Sequence, residues 1–261
     1  MFIEKWKKDN MEQLVYKKPD SIKEDFKISF CPGCDHGVAV KLVAEVLDEL
    51  GVREKTIGIA SVGCSVFSYD FFNLDIVEAQ HGRSMAVATG VKRSKPDKVV
   101  FTYQGDGDLA SIGIAETIHA MARGEKITAI CINNTTYGMT GGQAGPTTLI
   151  GQVTTTTTKG RCAELSGFPL KISELLKEID GTAYVARVTL DNPKAIMNAK
   201  KCIKKAFEAQ IKGLGTGFVE ILATCPTNWK MTPQQAHERV RGEMSEVFVP
   251  GVYKDKVSEA L

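Results

Sequence analysis

Residues 98–134 read KVVFTYQGDGDLASIGIAETIHAMARGEKITAICINN, and this stretch decides the fold. Lys98–Tyr103 is a near-continuous apolar and aromatic run, which marks a strand buried on both faces. It ends in Gly105-Asp106-Gly107. Ala110–Arg123 carries apolar residues at helical spacing and is closed by Gly124. Ile127–Ile132 is a second buried strand and ends in Asn133-Asn134. Strand, helix and strand in this order form the repeating unit of a parallel sheet covered on both faces.

The same alternation extends outward. Gly37–Leu50 predicts an amphipathic helix, with Ala39, Leu42, Val43, Val46, Leu47 and Leu50 on one stripe and Gly51 as its stop. Thr56–Val62 reads as a strand and Ser84–Lys92 as a helix rich in small residues. Thr135–Gly160 is long, polar and irregular, and loops of that length inside compact domains are usually functional. Its five threonines at 154–158 are read as part of a loop covering a ligand, in preference to a strand. Helices follow at Ile172–Ile179 and Pro193–Ile211, and strands at Ala183–Thr189 and Gly217–Ala223. Beyond Pro226 the chain reads as a tail with a short helix from Pro233. The expected fold class is α/β, a doubly wound and mostly parallel sheet. Its expected boundaries are an N-terminal extension over 1–27, one domain over 28–226 and a C-terminal tail over 227–261, with no internal repeat.

Bulk properties narrow the function. Of 261 residues, 43% are apolar and 25% charged, close to the averages for globular proteins. A net charge of +2 argues against nucleic acid as a partner. No stretch has the apolar length needed to span a bilayer, and the first ten residues hold no apolar segment of the signal-peptide kind. A cytoplasmic protein with no membrane association is expected. Seven cysteines in such a protein are thiols or metal ligands before they are disulfides.

In doubly wound folds, ligands bind beyond the carboxyl ends of the strands. Both Gly105-Asp106-Gly107-Asp108 and Asn133-Asn134 sit at such ends. Magnesium takes oxygen ligands, commonly shared between carboxylates and a substrate's phosphates. Asp106 offers a carboxylate, Asn134 an amide oxygen and Thr136 a main-chain carbonyl. The glycines let the backbone approach a diphosphate, and a helix starting near Ala110 turns its N-terminus toward the anion. Alone, the first motif is an ordinary turn and the second an ordinary strand end. In this order, 25 residues apart, the pair resembles the motif that binds thiamine diphosphate. A calcium loop fits less well, because the further carboxylates it needs are missing.

Cys31-Pro32-Gly33-Cys34 precedes His36, while Cys64 and Cys225 each follow a predicted strand. Four thiolates suit a [4Fe–4S] cubane and also suit zinc, so the ligand count leaves both open. Cys131 in an apolar strand and Cys202 in a helix read as packing residues, and Cys162 has no evident partner.

These segments, with Gly63-Cys64-Ser65, Tyr137-Gly138-Met139-Thr140-Gly141-Gly142-Gln143 and Cys225-Pro226-Thr227, resemble in order and spacing the β subunits of 2-oxoacid:ferredoxin oxidoreductases. The resemblance runs over residues 28–230 and implies the thiamine-diphosphate-binding fold of the pyrophosphate-domain type. It implies a [4Fe–4S] cluster on Cys31, Cys34, Cys64 and Cys225, and magnesium on Asp106, Asn134 and Thr136. It places thiamine diphosphate against Val62, Gly63, Cys64, Ser65, Gly107, Asp108, Gly138 and Met139, with His36 close by. Gln80-His81-Gly82-Arg83 also matches a family segment, which makes His81 and Arg83 catalytic candidates and sets Arg83 toward a diphosphate or a substrate carboxylate. His119 reads as structural. Asp35 departs from the family, which has glycine there; a turn requiring positive φ is tolerated by Asp better than by most residues.

The implied reaction is oxidative decarboxylation of a 2-oxoacid, with coenzyme A taking the acyl group and ferredoxin the electrons. The chain offers no evident glutamate for activating the aminopyrimidine ring, and the resemblance assigns that group to an α subunit, with γ and ferredoxin-like δ subunits completing the complex. Val66, Phe67, Tyr69, Phe71 and Phe72 follow Cys64, with Phe71 and Phe72 read as ordinary core or interface residues, and no Lys or Arg occurs before Arg83. An apolar wall suits an apolar side chain, whereas a distal carboxylate buried unpaired is costly. The stretch resembles the branched-chain type of the family, so 3-methyl-2-oxobutanoate is the expected substrate. The alternatives are a 2-oxoglutarate- or pyruvate-specific member, a non-redox thiamine enzyme subunit with structural zinc, and a zinc-stabilised binding module.

Overall fold

The computed structural model describes residues 16–260, so residues 1–15 of the expected N-terminal extension lie outside the described residues. The apolar runs become strands: β1 (Thr56–Ser61), β2 (Asp75–Ala79), β3 (Val99–Gly105), β4 (Thr128–Asn133), a short hairpin of β5 (Thr136–Tyr137) and β6 (Gln143–Ala144), β7 (Thr182–Thr189), β8 (Thr216–Leu222) and β9 (Gly251–Asp255). Seven of them form one sheet in the order β2-β1-β3-β4-β8-β7-β9. All neighbours in it are parallel except β9, which runs antiparallel to β7.

The principal helices are α1 (His36–Glu49), α2 (Ser84–Ser94), α3 (Ile114–Ala122), α4 (Ile172–Lys177), α5 (Pro193–Ile211) and α6 (Pro233–Arg239). Alternation along each strand sorts side chains between two layers. Phe101, Tyr103, Ile130, Ile132, Val219 and Ile221 pack under α1 and α5. Val100, Ala129, Cys131, Val185 and Phe218 pack under α2, α3 and α4. Leu47, Phe101 and Phe207 are completely or almost completely buried, and each contributes on the order of 1.5–3 kcal/mol by leaving water. The Asn192 side chain caps α5 by accepting from Ala195 N at 2.9 Å, with Pro193 preset for the first turn.

Three expectations change. The helix expected from Ala110 begins as a helical turn directly at Asp106, is wound as a π-type segment over Asp108–Ile112, and is broken at Gly113 before α3. The tail contains the expected short helix from Pro233, α6, and adds an unexpected strand, β9, that pairs along β7. As expected, Phe71 and Phe72 are core residues, and Ile22 bridges to Phe72, so they do not wall a substrate site. Asp35 has φ −74°, an ordinary helical value; the positive φ of this turn, +75°, falls on Gly33, where an added Cβ would lie 2.5 Å from the Pro233 ring.

The sheet order sets the site. The chain leaves β1 outward to β2 and returns on the other side to β3, which makes a topological switch between β1 and β3. Beyond β4 it departs through the hairpin and comes back by β7 to β8. The carboxyl ends of β1, β3, β4 and β8 therefore open at one edge, and they carry residues 62–65, 105–108, 133–136 and 223–225.

Candidate functional site

At that edge lies a cavity of about 240 Å³, lined by Val62, Gly63, Cys64 and Ser65 after β1, by Asp106, Gly107 and Asp108 after β3, and by Asn134, Thr136, Gly138 and Met139 after β4, with His36 and His81 alongside. Every residue expected to hold magnesium or to touch thiamine diphosphate thus lines one space. Asp106 is 2% exposed. Burial pushes its carboxyl up to about 7, against the hydrogen bonds from Thr147 and the Gly107 and Asp106 backbone that favour the ionised form. A buried carboxylate held this far from comfort is what a cation relieves. Gly107 is required by contact: a Cβ there would sit 2.1 Å from the Tyr137 ring. The Asn134 Oδ1 accepts from Thr136 N at 3.2 Å, tying two of the expected ligands into one turn.

Asp108 is also buried, and burial raises its pKa. It accepts from Gly82 N at 2.7 Å and from Gln104 Nε2 at 2.5 Å, and its Oδ1 lies 2.9 Å from His81 Nδ1. The same nitrogen is 3.2 Å from the Val62 carbonyl oxygen, so Nδ1 carries a proton and donates. This leaves His81 Nε2 for the cavity. Arg83 does not join it. Its guanidinium pairs with Glu116 on α3 and reaches the Ile112 carbonyl at 3.3 Å. His119 stands exposed on α3.

A second cavity of about 300 Å³ is lined by Cys31, Cys34, Cys64 and Cys225, with Phe30, Phe67 and Asn228. A Cβ on Gly138 would lie 3.4 Å from Cys64 Sγ and 3.5 Å from Cys225 Sγ, so the loop after β4 separates those two thiols without a side chain. Asn228 Nδ2 donates to Cys225 Sγ at 3.2 Å and to the Gly138 carbonyl at 3.0 Å. Burial, followed by repulsion among the sulfurs, pushes Cys34 up to about 12 and Cys64 up to about 11; Cys225 is raised chiefly by burial. Four thiols lining one space are a donor set suited to a cationic group. Among the described residues, no three His, Cys, Asp or Glu side chains are gathered closely enough to hold one ion. Tetrahedral zinc, with Zn–S about 2.3 Å, draws its sulfurs to roughly 3.8 Å of one another. The four thiols surround a volume, which fits a cluster better than a point charge.

The loop bearing Cys31 and Cys34 is clasped to the strand bearing Cys225. Asp35 Oδ2 accepts from Thr224 N at 2.9 Å, its Oδ1 lies 3.0 Å from His237 Nε2, and Thr224 Oγ1 donates to the Gly33 carbonyl at 2.7 Å. His36 is wholly enclosed, stacks on Phe30 at 4.9 Å and lies 2.9 Å from the Tyr103 hydroxyl. Burial pushes it down to about 4, so it is neutral. His36, Cys64, Asn134, Gly138 and Met139 line both cavities and form their common wall. Cys131 and Cys202 are buried packing residues, and Cys162 is exposed.

Several residues that organise the site carry no local motif. Thr147 donates to Asp106. The Arg161 side chain donates to the carbonyls of Gly145, Pro146, Thr148, Ser166, Gly167 and Phe168, all within 3.2 Å. This one guanidinium holds both limbs of the long loop that begins after β4. Hydrogen bonds to a charged group are worth about 1.5–3 kcal/mol each when buried, so Arg161→Ala should cost at least ~3 kcal/mol of local stability. Limited proteolysis should then cut within 145–168 many times faster than in the parent protein, and unchanged cleavage would show that the loop is held by other means. A basic residue amid glycines and threonines was the available signal, but its partners are main-chain atoms that no residue pattern reveals.

Among the described residues, no helix is long and apolar enough to cross a membrane. Comparison with known proteins adds the following. Residues 61–221 match the family described as Thiamine pyrophosphate enzyme, C-terminal TPP binding domain. The chain is 45% identical over 258 residues, 95% of its length, to ketoisovalerate oxidoreductase subunit VorA of Methanothermobacter marburgensis, of which this covers 54%. The chain thus spans about half the length of that relative. It is 36% identical over 200 residues, 76% of its length, to 2-oxoglutarate synthase subunit KorB of Methanocaldococcus jannaschii, of which 69% is covered. Among solved structures, a 2-oxoglutarate:ferredoxin oxidoreductase from Magnetococcus marinus superposes with a TM-score of 0.73 over 94% of this chain and 87% of that one. At 24% identity that likeness speaks for the fold.

Proposed function

The chain belongs to the thiamine pyrophosphate-binding subunits of the 2-oxoacid oxidoreductases, and from that premise we propose that it is the cofactor-bearing catalytic chain of a coenzyme A-dependent 2-oxoacid:ferredoxin oxidoreductase. The observation that carries the reading is the common wall. A cavity with a buried, cation-seeking carboxylate shares His36, Cys64, Asn134, Gly138 and Met139 with a cavity ringed by four thiols.

Thiamine diphosphate, when bound, supplies the nucleophilic carbon and the electron sink for decarboxylation. The protein's part is placement. Asp106, Asn134 and the Thr136 carbonyl would hold the diphosphate through magnesium, and the bare Gly107 would let the backbone approach it. Cys31, Cys34, Cys64 and Cys225 would hold a [4Fe–4S] cluster, which would supply one-electron redox chemistry. Cys64 belongs to both cavities, so one side chain is shared between the two proposed sites. Neutral His36 adds no charge to this wall, and the Asp108-oriented His81 offers Nε2 at the mouth for proton exchange or for a substrate oxygen. An α subunit contributes the glutamate that activates the aminopyrimidine, γ and δ subunits complete the assembly, and ferredoxin accepts the electrons.

The preferred substrate in this reading is 3-methyl-2-oxobutanoate. With Phe71 and Phe72 in the core and Tyr69 exposed, the apolar surface offered to a side chain comes from Val62, Ile132, Tyr137 and Met139 in the first cavity and from Phe67 behind the thiols. Among the described residues lining the first cavity there is no Lys or Arg to meet a second carboxylate. The relationship to a ketoisovalerate oxidoreductase subunit supports this choice, and the relationship to 2-oxoglutarate synthase subunits defines the competitor. The test is viologen reduction by the reconstituted complex with 3-methyl-2-oxobutanoate, pyruvate and 2-oxoglutarate. A methylene in an apolar pocket is worth about 1–3 kcal/mol, so kcat/KM for the branched acid should exceed that for pyruvate by at least ~10-fold. A higher kcat/KM for 2-oxoglutarate than for the branched acid would overturn the assignment.

A further inference from the structure

Two charged residues occupy the interior of the sheet. Arg187 on β7 and Glu220 on β8 are opposite each other in register and both wholly buried. Arg187 Nε donates to Glu220 Oε2 at 2.8 Å, and its Nη atoms donate to the two Glu174 oxygens on α4 at 3.0 and 2.6 Å. Ser173 Oγ adds a bond to Glu220 Oε2 at 2.6 Å. A buried ion pair is often no more stabilising than apolar residues of the same size, so stability alone does not account for it.

The pair does fix the other oxygen of Glu220. That atom, Oε1, accepts from Asn133 Nδ2 at 2.7 Å, and Asn133 Oδ1 accepts from Thr135 N at 3.1 Å. Thr135 stands at φ +59°, a conformation that a β-branched residue keeps only when its surroundings impose it. Its carbonyl is held as well, by Thr148 Oγ1 at 2.6 Å and Gln152 Nε2 at 3.1 Å. The strained residue lies between Asn134 and Thr136, two of the residues that line the cavity with Asp106.

We infer that Asn133, backed by Glu220 and Arg187, is a positioning residue that clamps Thr135 in its left-handed conformation and so presents Asn134 and Thr136 to the cation of a bound diphosphate. The inference rests on the cofactor reading above. Without the clamp, Thr135 relaxes toward negative φ, the two flanking ligands part, and their arrangement has to be rebuilt each time the metal binds. Partners that orient metal ligands typically change metal affinity by about 10–100-fold.

The experiment uses the purified complex stripped of thiamine diphosphate and divalent cations, at a temperature well below its melting point. Magnesium is titrated calorimetrically at saturating thiamine diphosphate for the parent protein, Asn133→Ala, Asn133→Ser, Glu220→Gln and Asp106→Ala. The expected result is a half-saturating magnesium concentration raised about 10–100-fold in whichever Asn133 and Glu220 variants fold, with binding recovered at high magnesium. A lowered melting temperature with an unchanged magnesium dependence, while Asp106→Ala loses binding, would overturn the positioning role and leave the site standing. Absence of magnesium-dependent binding in the parent complex would overturn the cofactor reading itself.

Discussion

Asp106→Ala will lose magnesium-dependent binding of thiamine diphosphate, with affinity falling at least ~100-fold. Magnesium in such sites is held by one or two carboxylates plus phosphate oxygens, and Asp106 and Asp108 are the carboxylates lining the cavity. Asp108 is already engaged by Gly82, Gln104 and His81 and cannot turn to replace it. The substitution should not weaken the cofactor-free fold. Burial raises the Asp106 pKa to about 7 from an ordinary value of 3.8, so the folded protein retains a proton there that the unfolded chain has released. The stability of the cofactor-free protein therefore falls as pH rises from about 4 to about 7, and the full cost of the ionised group is present above that range. At pH 8, Asp106→Asn should thus melt higher than the parent protein while failing to bind the cofactor. Calorimetric titration and a thermal melt of the same preparation test both halves. Unchanged cofactor affinity would show that the site is misplaced.

Anaerobically purified protein should contain about four irons and four sulfides per chain, as a cubane requires. Replacing Cys225 by Ser should abolish that content or leave a fragment that bleaches in air. The same replacement at Cys131, Cys162 or Cys202 should leave it intact, since these lie outside the thiol cavity. The expectation rests on four thiols around about 300 Å³; burial disfavours ionisation of Cys34, Cys64 and Cys225, and neighbouring sulfurs add to this at Cys34 and Cys64. One tightly bound zinc with no sulfide would overturn it and favour the structural-metal alternative. Electron paramagnetic resonance of the dithionite-reduced protein gives an independent reading.

The parallel part of the sheet was legible because its central strands are buried on both faces and read as unbroken apolar runs. Nine of the elements read from sequence match the structure to within two residues at each end, among them Pro193–Ile211. The site was legible for the same reason: doubly wound topology gathers strand ends, so motifs at four strand ends converge. What escaped was non-local. The strand β2, with Asp75 and Glu78 in it, is an edge strand whose identity depends on pairing with β1. The strand β9 is recruited by β7 from the far end of the chain. Arg187 and Glu220 each interrupt an apolar run, which is a readable anomaly, but their registry across β7 and β8 is not encoded locally. Arg83 matched a family segment, yet the residue that claims it, Glu116, sits on a helix 33 positions away. Asp35 was a departure from pattern in sequence and in the structure is the clasp between two cysteine-bearing segments.

That clasp has a consequence for the order of events when the protein is made. Asp35 and Thr224 are 189 positions apart, and the thiol cavity spans Cys31 to Cys225. Contacts of such sequence separation form only after β1, β3, β4 and β8 have paired, because the entropy of closing that loop must be met by the strands between. A nascent chain lacking β8 has three of the four thiols and no enclosure for them. Loading of the metal group therefore follows synthesis of nearly the whole domain and belongs to maturation, after the sheet is complete.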